Sequence, residues 1–168
     1  MRLTGAEASH LTAVLAALKE AGAKVRSGKG WIELSMERRP KSVPVKTAPH
    51  PGFPTDLQAP WMALMTLAPG FTKISESVFE NRFMHAAELA RMGAQVAVSG
   101  AEAVIAGVEQ LSGAPIMASD LRAGAALLIA ALAAKGRTVL SRVYHVDRGY
   151  EAVERKLARV GARVERLR

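Results

Sequence analysis

The sequence predicts an α/β fold built from repeated βαβαββ units, the first of them truncated. Three observations lead there. A helix-like segment closed by glycine and followed by Ala-x-Val occurs three times, at Gly22, Gly93 and Gly161, about 70 residues apart. Between these closures, Thr55-Asp56-Leu57-Gln58-Ala59 matches Ser119-Asp120-Leu121-Arg122-Ala123, each opening an apolar helix. Hydrophobic residues make up 49% of the 168 residues and aromatics only 5%, so the core is expected to be aliphatic rather than aromatic.

Taken in order, the first predicted element is a helix over Gly5 to Ala21. Thr4 and Glu7 stand at capping-box spacing, and Leu11, Val14, Leu15 and Leu18 follow with helical periodicity. Ala23 to Arg26 and Trp31 to Leu34 then read as a hairpin about the Ser27-Gly28-Lys29-Gly30 turn. The charged stretch Glu37 to Ser42 with Pro40 reads as a loop, and Val43 to Thr47 as a strand start or edge because of Pro44. After the helix opened at Thr55-Asp56 and ended near Gly70, Phe71 to Glu76 reads as a strand. Arg137 to Arg142 is its counterpart after Gly136. Glu80-Asn81-Arg82 and Val146-Asp147-Arg148 each lead into a further helix. The resulting unit is strand, helix, strand, helix, strand, strand. The expected boundaries within a single partial domain, 1–168, are 1–47 (partial), 48–113 and 114–168, with the chain beginning in mid-unit.

Composition excludes several function classes. There is no cysteine, so no disulfide scaffold, thiolate metal site or cysteine nucleophile exists within these residues. The longest apolar run, Ala123 to Ala134, is too short for a bilayer span of about 20 residues. No secretory h-region is visible in the first ten residues. A soluble cytoplasmic protein with no membrane partner is expected. A formal charge of +8 and a pI near 10.3 point to an anionic partner. Nucleic acid is not the expected one, because lysine and arginine are scattered and no recognition signature is present. His50, His85 and His145 lack metal-ligand spacing, so no metal is expected and hydrogen-bonded structural roles are. No glycine-rich nucleotide loop is present, and no cofactor is expected.

The candidate functional residues stand at the element junctions. Asp56 and Asp120 each carry an N-cap reading beside a functional one. Arg122 sits in the first turn of an apolar helix, where a cation opposes the helix dipole and an anionic partner would explain it. Arg82 and Arg148 occupy equivalent repeat positions. If the copies gather their loops at one end, Arg82, Arg122 and Arg148 converge on one anion, which guanidinium forks bind bidentately. The competing reading is three separate ion pairs with Glu80, Asp120 or Asp147.

Five strings in order resemble the UDP-N-acetylglucosamine 1-carboxyvinyltransferases: Thr47–Ala59, Val78–His85, Leu111–Ala114, Ala118–Ala123 and Tyr144–Glu151. The resemblance covers nearly the whole chain and corresponds to the C-terminal two-fifths of a family member. It implies an inside-out α/β barrel domain of the enolpyruvyl transferase type. It implies transfer of the enolpyruvyl group of phosphoenolpyruvate to the 3-hydroxyl of UDP-N-acetylglucosamine with release of phosphate, the first committed step of peptidoglycan synthesis. By motif, Asp56 matches the proposed general base at the sugar 3-hydroxyl, and Val78 a backbone contact to the nucleotide sugar. Arg82, Arg122 and Arg148 match arginines around phosphoenolpyruvate, and Asp120 an acidic position beside them. The family's catalytic cysteine (or the aspartate replacing it), a lysine–asparagine pair and most uridine contacts belong to an N-terminal domain outside this sequence. The chain alone is therefore expected to be inactive and to need that cysteine-bearing domain as its partner. Pro60-Trp61 departs from the family's commoner polar-then-aromatic pair. A non-catalytic nucleotide-sugar-binding remnant and a basic nucleic-acid-binding domain stand as alternative readings.

Overall fold

The computed structural model describes residues 1–167. Three sheets and six α-helices follow one another in the predicted α/β alternation. The first sheet holds β1 (Arg2–Thr4), β2 (Lys24–Gly28) and β3 (Trp31–Ser35), all antiparallel in the order β1-β3-β2. The second has the order β4-β5-β7-β6, from β4 (Val45–Lys46), β5 (Phe71–Ser75), β6 (Gln95–Ser99) and β7 (Glu102–Ala106). In it β4 runs parallel to β5, and the other pairs are antiparallel. The third pairs β8 (Pro115–Met117) with β9 (Val139–Ser141) in parallel. The helices are α1 (Thr12–Glu20), α2 (Gln58–Met65), α3 (His85–Arg91), α4 (Leu121–Ala133), α5 (Tyr144–Asp147) and α6 (Val153–Arg159). From β4 to β7 the order is strand, helix, strand, helix, strand, strand.

The core forms where α2 packs against α4, with α3 beside α4 and β5 beside α2. Six of the eight residues of α2 are buried: Gln58, Ala59, Trp61, Met62, Ala63 and Met65. A helix buried on nearly every side is a central one. The sheet covers the helices with one face only. In β5, Thr72 and Ile74 are buried, while Phe71 and Lys73 face out. In β7, Ala103 and Ile105 alternate in the same way. The scarcity of aromatics is met by alanine and methionine. Ala126, Ala130 and Leu127 of α4 lie in the same apolar cluster as Met62, Met65, Leu89 and Met92, and the small side chains let the helices approach closely.

Four local expectations are corrected. No capping box forms at Thr4 and Glu7: Thr4 ends β1, Gly5 takes a positive φ of 72°, and Glu7 makes no cap bond. The chain instead enters α1 through a 3-10 turn over Ala8–Leu11, so the helix is shorter than Gly5 to Ala21. Val43 to Thr47 forms a regular strand only over Val45–Lys46: Val43 is buried in the core, where its carbonyl accepts from Trp61 Nε1 at 3.1 Å, and Thr47 makes an isolated bridge to Phe53. Arg137 to Arg142 narrows to Val139–Ser141. The strand Arg2–Thr4 was not expected. The glycine closures do hold, with positive φ at Gly22, Gly93 and Gly161.

Gly107 marks a close approach that no side chain can share. Its amide donates to Gly70 O at 2.9 Å, and a Cβ there would run into the backbone carbonyl of Ala68. Gly107→Ala is expected to destabilise the chain by about 2 kcal/mol, read as a lower urea midpoint at an unchanged slope.

Candidate functional site

The site forms where the loop entering α2, the turn entering α3 and the N-terminus of α4 come together. After β4, Thr47 bridges to Phe53, and Ala48 N donates to Phe53 O at 2.9 Å, closing a loop that contains the cis His50–Pro51 peptide. Phe53 is buried edge-on against Trp61, with ring centroids 5.5 Å apart. The departure at Pro60-Trp61 is accommodated here: Pro60 falls in the first turn of α2, where its missing N–H has no helical partner to lose.

Asp56 does not cap α2. It lies in a 3-10 turn over Thr55–Leu57, and neither Pro54 nor Leu57, the residues at the cap positions, makes a side-chain cap bond. Its carboxylate instead accepts from Arg122 Nε across the interface between α2 and α4. Asp120, at the matching repeat position, does cap its helix. Its Oδ1 accepts from Arg122 N at 2.8 Å and Ala123 N at 3.0 Å, and Ser119 Oγ donates to Oδ2 at 3.1 Å. Burial pushes the Asp120 pKa up. The hydrogen bonds and the nearby His85 outweigh that and hold it below the usual carboxylate range. One motif thus has two outcomes, an exposed carboxylate paired to a cation and a helix cap. The cation that the helix dipole disfavours, Arg122, is held by Asp56.

Arg82 lies in the turn before α3, after Asn81 at a φ of 54°, with its guanidinium 4.4 Å from the centre of the Phe79 ring. Arg82, Arg122 and Asp120 line one small cleft together with Thr55, Gln58 and His85. Arg148 is not among the residues lining it; this exposed side chain closes α5. Two of the three arginines are therefore together. The expected pairing with Asp147 is made instead by Arg166, whose guanidinium donates to it at 2.7 and 3.0 Å and to Glu154 at 3.2 Å. Arg166 is thus tied back onto α5 and α6 rather than left on a free basic face. A larger, mostly apolar groove between α4, β9 and the segment after α6 contains none of the candidate residues.

Glu76, one residue beyond β5, escaped the sequence reading. It is 3% exposed and accepts four hydrogen bonds: from Thr47 Oγ1, Thr55 Oγ1 and Val78 N, each at 2.8 Å, and from Phe79 N at 3.1 Å. Burial raises its pKa, but these donors together bring it below the ordinary glutamate value. The signal was present in the strand: the alternation that buries Thr72 and Ile74 puts Glu76 on the same inward side. Val78 N is thereby taken, and its carbonyl accepts none of the turn and loop hydrogen bonds among the described residues.

The histidines do not share a metal site. No group of three or more His, Cys, Asp or Glu side chains is placed to hold a metal ion among the described residues. His145 packs on Tyr144 with ring centroids 4.3 Å apart. His85 is 2% exposed, with Nε2 unpartnered at the cleft beside the equally unpartnered Gln58 Nε2.

The fold is that of the enolpyruvyl transferases. Residues 1–157 match the model of the EPSP synthase (3-phosphoshikimate 1-carboxyvinyltransferase) family, and the chain belongs to that family. A UDP-N-acetylglucosamine 1-carboxyvinyltransferase of Gluconacetobacter diazotrophicus is 54% identical over 100% of this chain and 40% of its own length. One from an Anaeromyxobacter species is 57% identical over 96% and 38%. The chain thus spans about two-fifths of the length of these relatives. Among solved structures, the enolpyruvyl transferase NikO from Streptomyces tendae matches 98% of this chain and 39% of its own, with a TM-score of 0.88 and 31% identity. EPSP synthase from Acinetobacter baumannii, at 17% identity, a TM-score of 0.65, and 83% and 34% coverage, shares the fold. No helix among the described residues is long and apolar enough to cross a membrane.

Burial pushes the His85 pKa down to about 4, against the pull of Asp120. The unfolded chain then binds a proton near pH 6.5 that the folded chain refuses until about pH 4, so stability falls as pH drops between those values. Acidification from pH 7 to pH 5 is expected to remove about 2 kcal/mol through this group. His85→Phe is expected to flatten that part of the stability–pH curve, measured by chemical denaturation at each pH.

Proposed function

We propose that this chain carries the acid–base and anion-binding part of an enzyme that moves the enolpyruvyl group of phosphoenolpyruvate onto the 3-hydroxyl of UDP-N-acetylglucosamine, releasing phosphate. The observation that carries this is the pairing of exposed Asp56 with Arg122 at the cleft that Arg82 also lines. It stands beside relatives at 54% and 57% identity that bear that activity in their names. The chemistry needs a base for a sugar hydroxyl and cations for a substrate with carboxylate and phosphate groups.

In this reading Asp56 accepts the 3-hydroxyl proton. Arg122 keeps it aimed until substrate arrives, through the hydrogen bond from its Nε. Arg82 and Arg122 then face the carboxylate or phosphate of phosphoenolpyruvate, and stabilise the charge that gathers on the departing phosphate. Arg148 joins them from the end of α5 once substrate and the remaining protein close the site. The Val78 carbonyl is the backbone group that meets the nucleotide sugar, and Asp120 fixes the end of α4 from which Arg122 projects. The sequence contains no cysteine. In this reading the family's N-terminal domain, bearing the catalytic cysteine or the aspartate replacing it, is the partner, and these residues alone are inactive. The product belongs to peptidoglycan synthesis, and the setting is cytoplasmic.

The test is phosphate release from phosphoenolpyruvate and UDP-N-acetylglucosamine, by this chain alone and by this chain joined to a cysteine-bearing N-terminal half of a relative. Release is expected only from the joined protein. There, Asp56→Asn is expected to lower turnover by about 100-fold or more. A folded joined protein that releases no phosphate contradicts the assignment.

A further inference from the structure

We propose that Glu76 is a positioning residue that holds the Asp56 loop and the Val78 loop in a fixed relation, Oε2 reaching the residue before Asp56 and Oε1 reaching the Val78 loop and Thr47. This rests on the reading of Asp56 and Val78 as parts of the sugar site. Oε2 accepts from Thr55 Oγ1 at 2.8 Å, and Thr55 is the residue immediately before Asp56. Oε1 accepts from Val78 N at 2.8 Å and Phe79 N at 3.1 Å, and from Thr47 Oγ1 at 2.8 Å. Thr47 Oγ1 in turn accepts from Ser77 N at 2.9 Å, so the second loop is tied at three successive amides.

Packing alone does not call for a carboxylate here. The inward side of β5 carries Thr72 and Ile74 before it, and an apolar residue would continue the series at no desolvation cost. A buried carboxylate is tolerated only where donors surround it. All four donors come from the two segments flanking the candidate site, and none from the core helices. Asp56 is consequently set from two directions, by Arg122 through its side chain and by Glu76 through the residue before it. A base must stand within hydrogen-bond reach of its proton, and displacements near 1 Å at such a group cost about 100-fold in rate.

The division of labour between the two oxygens makes the inference testable. Thr55→Val removes the Oε2 contact and leaves the Oε1 contacts in place, whereas Thr55→Ser keeps the hydroxyl. In the joined two-domain protein, Thr55→Val is expected to lower kcat about tenfold and to leave KM for UDP-N-acetylglucosamine within about twofold. Thr55→Ser is expected to restore kcat to within about twofold. Glu76→Ala, which frees both loops, is expected to worsen kcat and KM together. In the chain alone, Thr55→Val is expected to speed amide exchange at Asp56 and Leu57 while Val78 and Phe79 keep their protection. A Thr55→Val protein with unchanged kcat overturns the inference, as does a serine variant as impaired as the valine one, or exchange that rises in both loops or in neither. Inactivity of the unsubstituted joined protein overturns the reading of Asp56 instead. The exchange result then still decides whether Glu76 holds the two loops separately.

Discussion

A single buried carboxylate organises the junction on which the candidate site is built. Glu76 lies where β5 ends, and everything beyond it on that side of the sheet is loop. The Thr47–Asp56 segment and the Ser77–Arg82 segment have few regular hydrogen bonds of their own, and loops left to themselves are mobile. Four donors converging on one ionised group replace the ladder that the sheet no longer provides. Charge-assisted hydrogen bonds are stronger than neutral ones, which is why one side chain suffices for two segments. Desolvation of the carboxylate is the opposing cost, and the lowered pKa shows that the donors prevail.

The second constraint comes from the helices. Asp56 and Arg122 belong to turns at the starts of α2 and α4, and these helices pack together through alanine and methionine. The ion pair is exposed enough for solvent to screen it, with side chains 62% and 35% accessible, so it contributes little to stability. Its consequence is chemical. It presents an exposed carboxylate beside a cation that lines the small cleft. Asp120 makes the same point in reverse, since its carboxylate is spent on the α4 cap and serves the site by fixing where Arg122 begins.

Much of this was legible in the sequence. The glycine closures and helix starts revealed the repeated α/β unit, because positive-φ glycines and apolar runs are local signals. The meeting of Arg82 and Arg122 at one cleft followed from their places at the element junctions, whereas Asp56 and Asp120 joined the site through the family resemblance. The errors arose where tertiary contacts override local chemistry. Thr4 and Glu7 have capping spacing, but β1 pairs with β3 and draws Thr4 into a sheet. Asp56 has capping spacing too, but Arg122, 66 residues away, takes its carboxylate. Glu76 reads as an unremarkable strand-end charge until its inward phase is counted; its amide donors lie two and three residues on, but its hydroxyl donors, Thr47 and Thr55, lie 29 and 21 residues away. Arg148 closes α5 and is not among the residues lining the cleft.

The most direct test of this account is a crystal structure of the Glu76→Ala chain. If the carboxylate organises the junction, the sheets and α2, α3 and α4 will superpose on the parent structure. The segments around Thr55–Asp56 and Val78–Phe79 will shift or lose order, and Asp56 will no longer meet Arg122. Both loops in their original places, with the Asp56–Arg122 pair intact, would contradict it.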